Sequence, residues 1–199
     1  MKTIKADPEF TGRWTMVAQN YLLSTRISCF WLKNKLNKHF RDKSQKEFLN
    51  LNIQPEGYLI YPTVYNLKHG LEIFLKCLII MLIKEYPISH DTLGLFNCLK
   101  NIYNKKSLDF SQLKTIKPII EKYYYGRYLP SNKINKKGDI MNEAERFPEN
   151  DKTYIITDPL TGEDKVNLEI INNIDEDAKK IINIFRGEWK IILKIKAVK

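Results

Sequence analysis

The stretch from Thr63 to Tyr86 constrains the fold more than any other part of this sequence. It contains seven consecutive apolar residues, from Cys77 to Ile83, and the residues before them are apolar on almost every side of a helix. A helix of this kind must be covered by other elements. We therefore predict a central buried helix over 63–86, ended by Pro87. The apolar run is too short for a membrane span, which needs roughly 20 residues.

A polar stripe interrupts this helix. Lys68, Glu72 and Lys76 follow one another at four-residue spacing, and His69 lies three residues before Glu72. These positions share one helix face. The stripe is either a relay of Glu–Lys ion pairs or a polar cluster that faces a cleft or a second subunit. His90, at the start of the next predicted helix, is either a hydrogen-bonded structural residue or a further site residue. The candidate catalytic residues are therefore His69, Glu72, Lys76 and His90.

Apolar residues at spacings of three and four predict further helices in the rest of the chain. The first covers about 14–48, and its apolar face is formed by Ala18, Leu22, Thr25, Cys29, Leu32, Leu36 and Phe40. A connection with a turn at Gln54–Gly57 follows it over 50–62. Ser89 is predicted to cap the helix that follows Pro87. Another covers about 110–124, with a kink or restart at Pro118.

In the last third of the chain, the sequence predicts a long polar loop and then a closing helix. Residues 126–150 lack periodicity, and 154–168 reads as a small hairpin around a Pro/Gly turn. The closing helix begins at about Asp175, with Ala178, Ile181, Ile182 and Phe185 on its apolar face. At Gly187 the chain either leaves this helix or continues it. The sequence thus predicts an all-α fold in a single domain over 1–199. It is an up-and-down bundle of four to five helices, with a loop and β-hairpin insertion at about 126–168, before the last helix.

The charge of the chain is positive and unevenly distributed. It has 33 Lys and Arg against 23 Asp and Glu, a net charge of +10. Residues 1–140 carry 23 basic and 11 acidic groups, hence +12, whereas residues 141–199 carry 10 and 12, hence −2. The second half of the first predicted helix, residues 26–46, is heavily basic. It is either a solvated helix face or a binding site for an anion such as RNA. The residues predicted to contact phosphates are Lys33, Lys35, Lys38, Arg41, Lys43 and Arg127.

Several kinds of site have no counterpart in the sequence. Cys29, Cys77 and Cys98 form no CxxC pair, so we expect reduced thiols in a cytoplasmic protein. We find no phosphate-binding glycine loop and no GxSxG elbow. The acidic run 175–177 is explained by capping of a helix start. We therefore expect neither a metal nor a cofactor, and we expect no association with a membrane.

Two segments resemble the HEPN family of small all-α domains. They are Asn66 to Leu78, a helix with a Glu and then a Lys, and Pro87 to Leu95, a loop with a His and an Asp that opens the next helix. Glu145 to Asn150 is similar to an Arg-aromatic-Pro segment in some members. The resemblance implies a helical bundle that forms a homodimer and acts on RNA or nucleotides. It also implies antiviral defence or a toxin–antitoxin system, with a possible partner protein from a neighbouring gene.

Catalytic HEPN members carry an Arg followed four to six residues later by His, and they cut RNA without metal. This chain lacks that motif, because its histidines at 39, 69 and 90 follow no arginine at that distance. Two hypotheses remain. In the first, the chain is a HEPN-like RNA- or nucleotide-associated protein, either a divergent endoribonuclease whose site uses other groups such as His69 or His90, or a relative that only binds. Alternatively, it is a non-catalytic helical adaptor that dimerises or docks on an effector protein.

Overall fold

Helices make up most of the described chain, as the sequence predicts. The structure, a computed structural model, describes residues 2–6, 8–36, 55–124 and 168–197. The predicted all-α bundle is confirmed, and a small two-stranded antiparallel sheet accompanies it. Its elements are β1 Thr3–Lys5, α1 Pro8–Leu36, α2 Pro55–Ile83, β2 Glu85–Pro87, α3 Thr92–Lys105, α4 Ser111–Lys114, α5 Lys117–Tyr124 and α6 Leu168–Ala197.

Helix α2 is the centre of the bundle. It contacts α1, α3, α5 and α6, and every residue from Gly70 to Met81 is buried. The apolar run thus forms the core that its composition predicts, since lateral packing removes this surface from water. Among the described helices, none is long and apolar enough to cross a membrane.

The predicted inward faces of the outer helices are also confirmed. On α1, Ala18, Leu22 and Cys29 are fully buried, and on α6 the same holds for Ala178 and Ile181. The side chains of Leu36 and Phe40, predicted on the same α1 face, lie outside the described residues. The helical period therefore identifies the face that each outer helix turns towards α2.

Helix α2 differs from its predicted bounds at both ends. It begins at Pro55, so residues 55–62 are helical and do not form the predicted connection. A proline at the first helical position loses no hydrogen bond, and Pro62 lies on an exposed side of the helix. At the other end, α2 stops at Ile83 and not at Pro87, because Lys84 takes a left-handed conformation with φ 61°.

The start of α3 also differs from the prediction. Its N-cap is Asp91, whose Oδ1 accepts a hydrogen bond from the Gly94 N–H at 3.0 Å. Ser89, the predicted cap, instead accepts a hydrogen bond from the Asp91 N–H through its Oγ. The restart at Pro118 is confirmed, because α4 ends at Lys114 and α5 begins at Lys117.

The closing helix is longer than predicted. Helix α6 begins at Leu168, well before Asp175, and it continues through Gly187 without interruption. The acidic run 175–177 therefore lies inside the helix, and the prediction that it caps a helix start is wrong. The apolar residues Ile170, Ile171 and Ile174 extend the buried face of α6 by two turns, which stabilises this additional segment.

The sheet joins the two ends of the α1–α2 unit. β1 pairs antiparallel with β2, with Thr3 opposite Pro87 and Lys5 opposite Glu85. The hydroxyl of Thr3 also donates to Glu85 Oε2 at 2.6 Å. The predicted insertion at 126–168, with its hairpin, lies outside the described residues except for Leu168, which begins α6.

Gly70 allows α1 and α2 to approach closely. A Cβ at this position would lie 2.9 Å from Leu22 Cγ and 3.1 Å from Tyr21 Cβ. We expect Gly70→Ala to lower the free energy of unfolding by about 1–3 kcal/mol, because the added methyl overpacks a buried interface. Urea denaturation measures this change. The control is Gly12→Ala in α1, where a Cβ meets no atom within 4 Å; equal stability of the two variants would contradict the prediction.

Candidate acid–base site

The polar stripe of α2 lies inside the protein. Lys68, Glu72 and Lys76 are buried charged residues among the leucines, isoleucines and phenylalanine of the core. Burial of a charge is costly unless it is paired. The arrangement of partners around Glu72 is therefore the central feature of the site.

The structure brings all four candidate catalytic residues together at the Glu72 carboxylate. Lys76 Nζ donates to Oε1 at 2.7 Å, and His90 Nδ1 lies 3.1 Å from the same oxygen. His69 Nδ1 lies 3.6 Å from Oε2. His90 is contributed by the segment between β2 and α3, which folds back against α2. We call these four residues the Glu72 cluster.

Aromatic rings from three elements hold the Glu72 cluster in place. The ring of Tyr65 stacks on His69 at 5.5 Å with an interplanar angle of 11°, and Tyr21 of α1 meets His69 edge-on at 4.7 Å. Tyr86 of β2 lies with its ring centroid 5.4 Å from Lys76 Nζ, within cation–π range. The β1–β2 sheet and α1 thus complete the site that α2 begins.

The Glu72 carboxyl is ionised over the physiological range. Burial would raise its pKa, but the polar contacts of His69 and Lys76 and the charge of Lys76 hold the pKa at about 2. An ionised carboxylate accepts hydrogen bonds, so it favours the tautomer in which Nδ1 of each imidazole carries the proton. The Nε2 atom of each ring is then left as the acid–base position.

Accessibility separates the four residues into two pairs. The side chains of Glu72 and Lys76 are 1% and 2% exposed, whereas those of His69 and His90 are 24% and 55% exposed. A molecule arriving from solvent can therefore reach the imidazoles but not the ion pair beneath them. In the described part of the chain, no group of His, Cys, Asp or Glu residues is arranged to hold a metal ion.

The predicted phosphate-binding residues are placed only in part. Lys33 Nζ lies 2.7 Å from Asp175 Oδ2, and Arg26 Nε lies 2.8 Å from Asp175 Oδ1. These ion pairs tie α1 to α6, so Lys33 has a partner within the fold. The side chains of the remaining five predicted residues lie outside the described residues: Lys35, Lys38, Arg41, Lys43 and Arg127.

The sequence analysis did not predict a second buried carboxylate, that of Glu188. Glu188 is buried on α6, and the Tyr103 hydroxyl of α3 donates to its Oε2 at 2.7 Å. Burial raises the pKa of Glu188, and the hydrogen bond from Tyr103 opposes this only in part. Its signal in the sequence is its spacing, because Ile181, Phe185, Glu188 and Ile192 follow one another at steps of four, three and four.

The cysteines do not form a nucleophilic site. All three are free of disulfides. Burial raises the pKa of the Cys29 and Cys77 thiols to about 12. Because the thiolate is the reactive form, these two buried thiols are inert at neutral pH.

A shallow groove of about 310 Å³ lies between the α4–α5 segment and α6, away from the Glu72 cluster. The residues that line it include Gln112, Lys179, Lys180 and Ile184. Lys179 already contacts Glu176 at 3.5 Å, and no histidine lines the groove. It therefore offers no imidazole for acid–base chemistry near neutral pH.

Comparison of the chain with protein-family models, with curated proteins and with solved structures finds no match.

Proposed function

We propose that this protein is a HEPN-like RNA-associated protein that cleaves RNA without a metal ion, with His90 and His69 as its acid–base pair. One observation carries the proposal: a single buried carboxylate lies 3.1 Å from Nδ1 of His90 and 3.6 Å from Nδ1 of His69, and both imidazoles remain accessible to solvent. Histidine is the side chain whose charge changes most readily between pH 5 and 8, which suits both proton acceptance and donation.

The proposed step transfers one proton in and one proton out. The Nε2 atom of His90, the more exposed ring, accepts the proton of a ribose 2′-hydroxyl, and O2′ attacks the adjacent phosphorus. As the P–O2′ bond forms, the P–O5′ bond breaks, and protonated His69 donates a proton to O5′. The products are a 2′,3′-cyclic phosphate and a 5′-hydroxyl. The buried Glu72 carboxylate stabilises the His90 imidazolium as it forms.

Lys76 has a positioning role in this proposal. Its side chain is 2% exposed and donates to Glu72, so it does not contact a phosphate in solvent. Its charge helps to keep Glu72 ionised, and an ionised Glu72 keeps both imidazoles oriented through Nδ1. The cation beside the phosphate is then the protonated imidazole itself.

The setting that we propose follows the resemblance to HEPN proteins. It is RNA or nucleotide processing in the cytoplasm, within a prokaryotic antiviral-defence or toxin–antitoxin system. Three thiols without disulfides and a net charge of +10 support an intracellular polyanion as the substrate.

The test is cleavage of a defined single-stranded RNA in the presence of EDTA. We expect cleavage by the unsubstituted protein, and a rate lower by about 100-fold or more for His90→Gln, the loss typical of a general acid or base. The matched control is Glu188→Gln, which alters an equally buried carboxylate that contacts no imidazole. We expect this variant to retain its rate.

The proposal fails if the folded wild-type protein leaves RNA intact under all metal conditions, or if His90→Gln cleaves as fast as wild type. RNA binding across a salt series then separates the remaining hypotheses. Phosphate contacts make affinity fall by orders of magnitude between about 50 and 200 mM salt. No binding at any salt concentration favours the helical adaptor.

A further inference from the structure

Helix α1 turns an apolar stripe away from the bundle. Met16, Leu23, Ile27 and Phe30 are 65%, 42%, 61% and 66% exposed. With a rotation of 100° per residue, these four side chains fall within an arc of about 60°. The arc lies opposite the buried face that Ala18, Leu22 and Cys29 direct towards α2 and α6. We call these four residues the α1 stripe.

Uncharged residues complete this stripe. Asn20 lies between Met16 and Leu23 on this face, and Asn34 follows Phe30 by one turn. The six positions 16, 20, 23, 27, 30 and 34 therefore succeed one another at alternating spacings of four and three. A solvated helix face normally carries charged side chains. Here 28% of the chain is charged, yet none of these six positions is. The pattern matches the seam of a two-stranded coiled coil.

We propose that the α1 stripe is the interface of a homodimer in which the α1 helices of two copies pack parallel and in register. In this arrangement Met16, Leu23 and Phe30 are d positions, and Ile27 is an a position between two asparagines. Isoleucine at a with leucine at d favours two strands, and asparagine at a specifies register. A two-fold axis parallel to α1 makes each residue meet its own counterpart.

The asparagines indicate that the partner is a second copy. An amide side chain carries both donors and an acceptor, so Asn20 can pair with Asn20 of the other copy, and Asn34 with its own counterpart. An antiparallel pair centred on positions 16–34 would instead place Asn20 opposite Phe30 and Asn34 opposite Met16, which leaves buried polar groups unpaired. The sequence of the stripe therefore complements itself in the parallel register.

The area is also sufficient for a specific dimer. The exposed parts of the four apolar side chains amount to about 500 Å² per copy, so a pair buries on the order of 1,000 Å² in total, the lower limit of specific interfaces. We therefore expect a reversible dimer with a micromolar dissociation constant. This inference rests on α1 alone, and it holds whether or not the protein cleaves RNA.

The first test is the oligomeric state by sedimentation velocity from 1 to 200 μM protein. We expect the wild type to dimerise and Ile27→Asp to remain monomeric, with a dissociation constant raised at least tenfold. The matched control is Ile191→Asp, an exposed isoleucine on α6, which should dimerise like the wild type. Circular dichroism checks that both variants are folded. A monomeric wild type at 200 μM, or equal loss of dimer in both variants, overturns the proposal.

The second test fixes the direction of the helices by oxidative cross-linking. In the parallel dimer, Met16→Cys lies beside its counterpart and should cross-link. In an antiparallel pair centred on positions 16–34, Met16 lies opposite Asn34, so the two thiols would be about 27 Å apart along the axis. Val17→Cys, one residue away on a different helix face, should not cross-link, and neither should the unsubstituted chain. Cross-linking of Leu23→Cys without Met16→Cys overturns the parallel register.

Discussion

Glu72→Ala is expected to lower the free energy of unfolding by about 3–5 kcal/mol, the usual cost of removing one partner of a buried ion pair. The substitution leaves the Lys76 ammonium in the core without the carboxylate that lies 2.7 Å from it. Neither water nor another described carboxylate replaces this contact easily, because the Lys76 side chain is 2% exposed. Chemical denaturation with a circular dichroism signal measures the loss.

A double variant separates the cost of the unpaired charge from the cost of lost packing. We expect Glu72→Leu combined with Lys76→Met to recover most of the stability, because apolar residues of similar volume avoid the desolvation of both charges. If the double variant is as unstable as Glu72→Ala, the ion pair is not what makes Glu72 important, and the prediction is contradicted.

The stabilisation by Glu72 is also expected to depend on pH. Its pKa is about 2 in the folded protein, against an ordinary value of 4.5. Because the folded-state pKa is the lower one, the stabilisation is fully present above pH 4.5 and is lost as the pH falls towards 2. The stability difference between the wild type and Glu72→Gln should therefore shrink over this window. A difference that stays constant from pH 6 to pH 2 would contradict the assignment.

Phe74→Ala is expected to destabilise the protein by about 3–5 kcal/mol, because it removes a large side chain from the core and leaves a cavity. Phe74 is fully buried on α2, and its ring meets the ring of Phe185 on α6 edge-to-face at 4.7 Å. This contact is a direct link between the central helix and the closing helix. Urea denaturation gives the change in the free energy of unfolding.

A double-mutant cycle tests whether the two rings act as a pair. Phe74→Leu and Phe185→Leu keep apolar volume, so each single change removes mainly the aromatic contact. We expect a coupling energy of about 0.5–1.5 kcal/mol between them. Strictly additive effects would show that the contact between α2 and α6 contributes only through burial.

The proposed function gives the Glu72 cluster a catalytic role beside its structural one, and the two roles can be measured separately. Glu72 and Lys76 are buried, so their removal acts on stability, whereas His90 is 55% exposed and its removal should act mainly on catalysis. A loss of cleavage in His90→Gln at unchanged stability would assign the chemistry to the imidazole. This separation distinguishes a catalytic cluster from an ion-pair relay in the core.

The spacing of apolar and polar residues along the sequence was enough to predict the helices and the faces that they bury. The helical period identified α2 as the buried centre and selected Ala18, Leu22 and Cys29 as the inward face of α1. It also placed His69, Glu72 and Lys76 on one face of one helix. These features depend on residues three and four apart, whose relative positions are set by the helix itself. The sequence did not predict the residues at helix ends correctly. It placed Pro55 in a turn, whereas Pro55 begins α2, and it assigned the cap of α3 to Ser89, whereas Asp91 is the cap.

Tertiary structure decided which of these groups meet residues from other elements. His90 reaches Glu72 only because the segment after β2 folds back onto α2. Lys33 and Asp175 are 142 residues apart and pair only because α1 packs on α6, and the contact of Tyr103 with Glu188 likewise depends on helix packing. Periodicity specifies the face that a helix buries, but the partner of a buried charge depends on the geometry with which helices pack.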